Sequence, residues 1–166
     1  YGLEIIDDRG CKFDYQISLT EPEHIIGGVL HSTNNYNGYD ISCFGYNDGA
    51  LLASPYGGVP PYNYSWSNGE IKDSAVNLFS GYYEVWVRDK NECLWKDSIF
   101  LIEPAEYSVF GSVSPDTCEK GVGSAFVSSS GGVPPYSYAW YNGENSFLIE
   151  SLFSGVYELI ASDINQ

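Results

Sequence analysis

Gly57-Gly58-Val59-Pro60-Pro61-Tyr62-Asn63-Tyr64-Ser65-Trp66 returns, 74 residues later, as Gly131-Gly132-Val133-Pro134-Pro135-Tyr136-Ser137-Tyr138-Ala139-Trp140. The same offset carries Asn68-Gly69-Glu70 onto Asn142-Gly143-Glu144, and Leu78-Phe79-Ser80-Gly81 onto Leu152-Phe153-Ser154-Gly155, without a gap. Self-similarity at a fixed period is the signature of a repeat architecture. After the prolines, Tyr62, Tyr64 and Trp66 alternate with small polar residues, the two-residue period of a half-buried strand. Proline removes backbone donors, so the strand starts only beyond the Pro-Pro pair. Asn68-Gly69 follows at once, and this dipeptide predicts a type I′ hairpin turn.

Working outward, a third copy emerges at the start of the chain. Tyr1 to Cys11 aligns with Tyr83 to Cys93, and Glu21-Pro22 falls on Glu103-Pro104. The organisation expected is the tail of one repeat (1–22), a complete repeat (23–104) and most of another (105–166). Tyr83, Val85 and Val87 alternate with Glu84 and Trp86, and Tyr1, Leu3 and Ile5 or Tyr157, Leu159 and Ala161 take the same places. That recurrence predicts a strand with a fixed inner face. Trp95 to Ile102, Leu51 to Ser54, Phe126 to Ser128, Ile25 to Leu30 and Tyr107 to Val113 read as further strands. No segment has a capped helical period. The fold class expected is all-β: small immunoglobulin-like β-sandwiches, of roughly seven strands each, in an extended tandem array. The order Cys43, Trp66, Cys93 is similar to that of immunoglobulin domains. Cys93, however, lies beyond its strand, which suggests a clip at one end of the sandwich.

Charge narrows the partners. Twenty-two acidic residues face seven basic ones, for a net charge of −15. Phosphate binding needs clustered Lys and Arg, so nucleic acid is excluded as a partner and an anionic membrane surface is disfavoured. No apolar run reaches the roughly 20 residues of a transmembrane helix. The chain starts in mid-pattern and reads as a window onto a longer polypeptide. Counting from Asp163 by the repeat, a cysteine is expected at position 167, followed by a closing strand.

Catalytic chemistry is not legible. His24 and His31 have no neighbouring ligand pattern and read as packing or solvent-exposed residues. No Gly-x-Ser-x-Gly elbow occurs. The glycine pairs read as turns, since two of them lead into Pro-Pro and lack the donors of a phosphate loop. Asp40, Asp48 and Asp89 do not form a calcium-loop pattern. Asp7, Asp89 and Asp163 recur in register and read as turn residues that bond their own backbone, with calcium as the sharper alternative. No cofactor is expected, and the chain reads as a non-enzyme. Tyr82, Trp86 and Trp95 are candidate outward-facing aromatics able to stack on sugars.

The whole pattern resembles the SprB repeat. It runs Gly-Gly-x-Pro-Pro-Tyr-x-Tyr-x-Trp, Asn-Gly, Leu-x-x-Gly-x-Tyr, Asp-x-x-x-Cys and a closing Glu-Pro. SprB repeats occur in very large surface proteins of the Bacteroidota, named for a gliding-motility adhesin. The resemblance covers nearly the whole chain. The glycine usual before the cysteine is Gly10 in the first copy and Glu92 in the second. The resemblance implies type IX secretion, display at the cell surface and adhesion, often coupled to gliding. Its partners would be neighbouring repeats, the secretion and gliding machinery, and an extracellular ligand such as surface polysaccharide. The alternative is a carbohydrate-binding accessory array on a secreted polysaccharide-degrading enzyme. Export removes the reducing pool, and Cys43 and Cys93 are the two cysteines of the complete repeat. A Cys43–Cys93 disulfide is therefore expected, closing a loop of about 50 residues for roughly 4 kcal/mol, with Cys11 and Cys118 unpaired. The phylum that the resemblance implies can place O-glycans at Asp-Ser/Thr before a small or apolar residue, so Ser74, Ser98 and Thr117 are candidate O-glycosylation sites.

Overall fold

The computed structural model describes residues 2–22, 24–31 and 35–165, and the backbone alone for 28–31. It is all-β. β1 (Gly2–Ile6) and β2 (Lys12–Gln16) form an antiparallel hairpin, in register from Gly2↔Gln16 to Ile6↔Lys12. β3 (Ile26–His31), β4 (Gly49–Tyr56), β5 (Asn63–Trp66), β6 (Ser74–Leu78), β7 (Gly81–Arg88) and β8 (Leu94–Leu101) make two three-stranded sheets, ordered β3-β4-β6 and β5-β7-β8. β9 (Ser108–Ser114), β10 (Gly123–Ser130), β11 (Ser137–Trp140), β12 (Leu148–Leu152) and β13 (Leu159–Ser162) repeat the plan as sheets β9-β10-β12 and β11-β13.

The alternation read from the sequence is the alternation of burial. Val85 and Val87 on β7 are fully buried, Trp66 on β5 nearly so, and Tyr62, Tyr64 and Tyr83 pack against them. Leu51 and Ala53 of β4, and Ala75 and Leu78 of β6, supply the opposing layer. Burying one such large apolar side chain contributes about 1.5–3 kcal/mol. The indole of Trp66 donates to Lys72 O at 2.9 Å, and that of Trp140 to Ser146 O at 2.8 Å. The polar edge of each ring is thus satisfied inside its core.

One reading of local structure needs correcting, and one strand was not read at all. Asn68-Gly69 closes a tight loop, in which Trp66 N also donates to Glu70 O at 2.8 Å, but it does not join two partnered strands. β5 pairs with β7 and β6 with β4, so the turn hands the chain from one sheet to the other. Gly69 N donates to Trp66 O, and Gly69 alone of the turn residues has positive φ, at 91°. This is a type I turn ending in a left-handed glycine, whereas type I′ needs positive φ at both central residues. β6 itself has no period-two signal. It buries Ala75 and Leu78, three residues apart, because Asn77 takes a left-handed conformation (φ 56°) opposite a register shift at Gly49/Ala50.

The topology gives each sandwich two unlike poles. At the first lie Gly57 and Gly58, the start of β3, and the loop from Asp89 to Cys93. At the second lie Ile41, Gly49 and Ile102, where Asp40 N and Ile41 N donate to Ile102 O. The chain enters the complete sandwich at the first pole and leaves it at the second. Pro60-Pro61 and Pro134-Pro135 are cis peptide bonds at the first pole of their respective repeats.

The last repeat is open on one side. A cavity of about 540 Å³ is lined by Val113, Ala125, Trp140, Leu152, Phe153 and Leu159 among others, and Asp116 Oδ2 beside it is buried without a hydrogen-bond partner. In the complete sandwich β8 closes this wall: Leu101 is fully buried and Asp40 Oδ2 accepts Ile102 N at 2.8 Å.

Candidate functional site

The recurring aspartate builds the first pole. Asp89 is almost fully buried. Its Oδ1 accepts the N–H groups of Asn91 at 2.8 Å and Cys93 at 2.9 Å, which folds its own loop. Its Oδ2 accepts Val59 N at 2.9 Å, which ties that loop to the Gly-Gly-Val-Pro-Pro turn. Lys90 N to Val59 O, at 2.8 Å, closes a second bond across the same seam. Gly58 is required here: its φ is 65°, and a Cβ would meet Ile25 Cγ1 at 2.7 Å and Asp89 Oδ2 at 3.0 Å. Burial works to raise the pKa of Asp89. The N–H donors of Val59, Cys93 and Asn91 outweigh it, so the carboxyl lies below its ordinary range.

The other copies repeat the arrangement. Asp163 Oδ2 accepts Val133 N at 2.7 Å and its Oδ1 accepts Asn165 N at 3.0 Å. Asp7 Oδ1 accepts Cys11 N at 2.8 Å and Arg9 N at 3.0 Å. The Cys11 N–H is the main cause holding the Asp7 carboxyl low, against desolvation and with help from Arg9. Reading these aspartates as turn residues agrees with this geometry. Both oxygens of Asp89 and of Asp163, and Oδ1 of Asp7, already face N–H hydrogens, which point positive charge where a cation would sit. Among the described residues, no group of three or more His, Cys, Asp or Glu side chains could hold a metal ion.

The cysteines do not pair as expected. Cys11, Cys43, Cys93 and Cys118 are all free thiols. Cys93 precedes β8 at the first pole. Cys43 sits at the second pole, in the loop whose Asp40 and Ile41 bond Ile102 at the far end of that strand. Eight strand residues separate the two ends, about 26 Å at the usual rise per residue. A disulfide allows about 4.4–6.8 Å between Cα atoms, so a Cys43–Cys93 bridge is excluded by the topology.

Of the aromatic candidates, Tyr82 and Trp86 lie on the outer face of the β5-β7-β8 sheet. Tyr82 is 61% exposed beside Phe100, its cross-strand partner, at 57%. Trp86 is half-buried opposite Lys96. Trp95 does not join them. It pairs with the buried Val87 and packs on the core from the inner face. Strand alternation explains this: Trp95, Ile99 and Leu101 share one side of β8. The sequence reading missed Phe100, although it lies five residues beyond Trp95 and hence on the opposite face. Ser98 is exposed in mid-β8 and its Oγ accepts Tyr82 OH at 2.6 Å. Ser74 is half-buried at the start of β6, and Thr117 is exposed in a loop. His24 is exposed and resolves no ligand geometry, and the side chain of His31 lies outside the described residues.

Successive repeats meet pole to pole. Asn165, in the first-pole loop of the last repeat, donates from Nδ2 to Ser42 O at 2.8 Å and accepts Asn37 Nδ2 at 3.1 Å, both at the second pole of the repeat before. Asp48 steadies the receiving loop by accepting Ser42 N at 3.1 Å. Burial opposes ionisation of Asp48, and the Ser42 hydrogen bonds outweigh it and lower its pKa. Pro104, between the two, is fully buried.

No curated protein matches the chain. No helix among the described residues is long and apolar enough to cross a membrane. The family model for the SprB repeat matches at residues 36–70 and again at 111–145. Each match takes in a Gly-Gly-Val-Pro-Pro turn, its aromatic strand and the Asn-Gly turn that switches sheets. The chain carries two SprB repeats, in tandem.

Proposed function

We propose that this chain is a stalk segment of a large cell-surface adhesin, exported through the type IX system and serving surface attachment or gliding. The observation that carries the proposal is the pole-to-pole docking of Asn165 on Ser42, which sets one repeat on the end of another. A stalk needs that serial geometry and needs no catalytic group. In this reading the repeat units are residues 1–22, 23–104 and 105–166, and each neighbour is the principal partner of the next. Ser98, Thr117 and the half-buried Ser74 are proposed O-glycan acceptors, which the intact mass of tryptic peptides from the native host tests. The test of function is in-frame deletion of 23–166 in that host. Loss of attachment or gliding, together with antibody labelling of the repeats on intact cells, supports the proposal. Wild-type attachment and gliding with no surface labelling overturn it.

A second reading has one observation of its own. Tyr82, Phe100 and Trp86 form an outer aromatic face that the last repeat lacks, since Val156 and Ile160 stand where Tyr82 and Trp86 would. Such a face suits stacking on a sugar ring, as in an accessory module of a polysaccharide-degrading enzyme. Binding of a polysaccharide panel, lost on Trp86→Ala, favours this reading. No binding by the wild-type chain removes it.

A further inference from the structure

We infer that the outer face of the β5-β7-β8 sheet binds an acidic polysaccharide: Trp86 and the Tyr82–Phe100 pair stack on sugar rings while Lys96 and Arg88 hold a uronate carboxylate. The inference rests on the sugar-stacking reading above and adds the charge of the ligand. Strand register lays this face out in rows. Asn63, Arg88 and Leu94 form one row, Ser65, Trp86 and Lys96 the next, and Tyr82 and Phe100 a further one, with Glu84 and Ser98 between. By alternation these residues stand on the side opposite the core that Val85, Val87 and Leu101 fill. Lys96 lies directly across from Trp86, and Arg88 is the diagonal neighbour of Lys96, ~7–8 Å away.

Both cations are exposed. Lys96 has no carboxylate within ion-pair reach among the described residues. Arg88 reaches only Glu92, at 3.8 Å, and a pair this exposed is held weakly. Two cations at adjoining sites repel, and an anion between them relieves the repulsion. The arginine fork also matches a carboxylate in shape. Four residues of β7 carry the face from Tyr82 to Trp86, about 13 Å, so the two stacking places suit different rings of one oligosaccharide. The Tyr82 hydroxyl donates to Ser98 Oγ at 2.6 Å, which steadies its ring. Glu84 and Glu92 keep the face near neutral overall. That disfavours a densely charged polyanion and admits the sparser carboxylates of a uronate polymer.

The other copies show that the fold does not ask for this face. Its inner positions recur: Tyr83, Val85 and Val87 answer to Tyr157, Leu159 and Ala161, and to Tyr1, Leu3 and Ile5. Its outer positions do not. The last repeat has Val156, Ile160 and Ser162 for Tyr82, Trp86 and Arg88. The first hairpin sets Glu4 opposite Asp14 where this sheet sets Trp86 opposite Lys96. Arg88 and Lys96 are two of seven basic residues in a chain with 22 acidic ones. Cations that scarce, gathered beside exposed aromatics where packing does not require them, mark a binding face.

The experiment is calorimetric titration of the whole chain, at low salt, with oligomers of galacturonate, mannuronate and glucuronate. Each is paired with the same oligomer after its carboxyls have been reduced to alcohols. The expected result is binding of at least one uronate oligomer, weakened about tenfold or more by reduction, as for the loss of one charge-assisted hydrogen bond. Lys96→Gln combined with Arg88→Gln causes the same loss with an unchanged melting temperature, and Lys120→Gln, in a loop of the last repeat, causes none. Equal binding of charged and reduced oligomers, wild-type affinity in the double variant, or an equal loss in Lys120→Gln overturns the inference and leaves the sugar-stacking reading standing. Absence of binding by every oligomer, charged or reduced, overturns both.

Discussion

Asp89 Oδ2 accepts the backbone N–H of Val59 at 2.9 Å, thirty residues earlier in the chain, and so one buried carboxylate closes two loops at once. Because its folded pKa lies below the ordinary carboxylate value, the ionised form is favoured by folding. The stabilisation is complete above about pH 4, the unfolded value, and is lost as pH falls through the lower folded value. Asp89→Asn keeps the shape but turns one acceptor into an N–H donor facing another donor. The expected outcome is a lower melting temperature at neutral pH and a flatter acid limb than wild type. Thermal melts across the acid range check both.

Two glycines separate strain from collision. Gly58 and Gly69 both have positive φ, 65° and 91°, but only Gly58 has atoms where a Cβ would go. Gly69→Ala should cost about 1–2 kcal/mol for the left-handed backbone. Gly58→Ala adds overpacking against Ile25 and Asp89, a further ~1–3 kcal/mol. Urea unfolding of the two variants should rank them in that order, and equal losses would refute the clash.

Adjacent residues of β8 should behave oppositely. Leu101 is fully buried and Phe100 is 57% exposed. Leu101→Ala should lower unfolding free energy by about 2–5 kcal/mol. Phe100→Ala should stay within about 0.5 kcal/mol. If Phe100 carries the larger loss, the outer aromatic face is a packing surface and not a free one.

Calcium should be indifferent. Both oxygens of Asp89, and Oδ1 of Asp7, are occupied by backbone donors. Melting temperatures with excess calcium and with EDTA should coincide. A rise with calcium that Asp89→Asn abolishes would show a cation seat at the first pole.

The open wall of the last repeat should accept a strand of β8 pattern. A peptide spanning residues 93–104 offers Trp95, Ile99 and Leu101 to the 540 Å³ cavity and a backbone donor to Asp116 Oδ2. Its binding should blue-shift the fluorescence of Trp140, and a scrambled peptide should leave it unchanged. No response to either peptide would count against equivalence of the two sandwiches.

Much of this molecule was legible before any coordinates. Tyr83, Val85 and Val87 alternate with polar neighbours because one face of β7 packs on a core, and that face is the one the sequence marks. Strand patterns also located β4, β5, β8, β10 and β11, and β3 with its copy β9, although Gly27-Gly28, read as a turn, lie within β3. β6 was invisible because a left-handed Asn77 breaks the alternation, so its buried residues stand three apart as they would on a helix. β12 hides in the same way, with Ser151 at φ 59° between Ile149 and Leu152. The turn at Asn68-Gly69 was seen but misassigned, since a turn's residues do not say whether the strands it joins are partners. The cysteine pairing failed for a related reason. Spacing does not tell which pole a residue reaches. That depends on how often the chain traverses the sandwich, and β5 and β6 together make one traverse. The aspartate loop was legible as a turn, while its reach to Val59 was not, because a contact thirty residues away leaves no local pattern.

The unlike poles also decide how a repeat responds to tension. A pull on the array draws β3 outward from its beginning and β8 outward from its end, each along its own axis. β8 faces that pull through eight paired positions with β7, and β3 through six with β4. Loaded lengthwise, these rungs share the force and must slide together, unlike a hairpin peeled open one bond at a time. Rupture under load is governed by the unfolding rate and not by equilibrium stability. With this grain, a sandwich resists a lengthwise pull through its unfolding rate and not through its equilibrium stability.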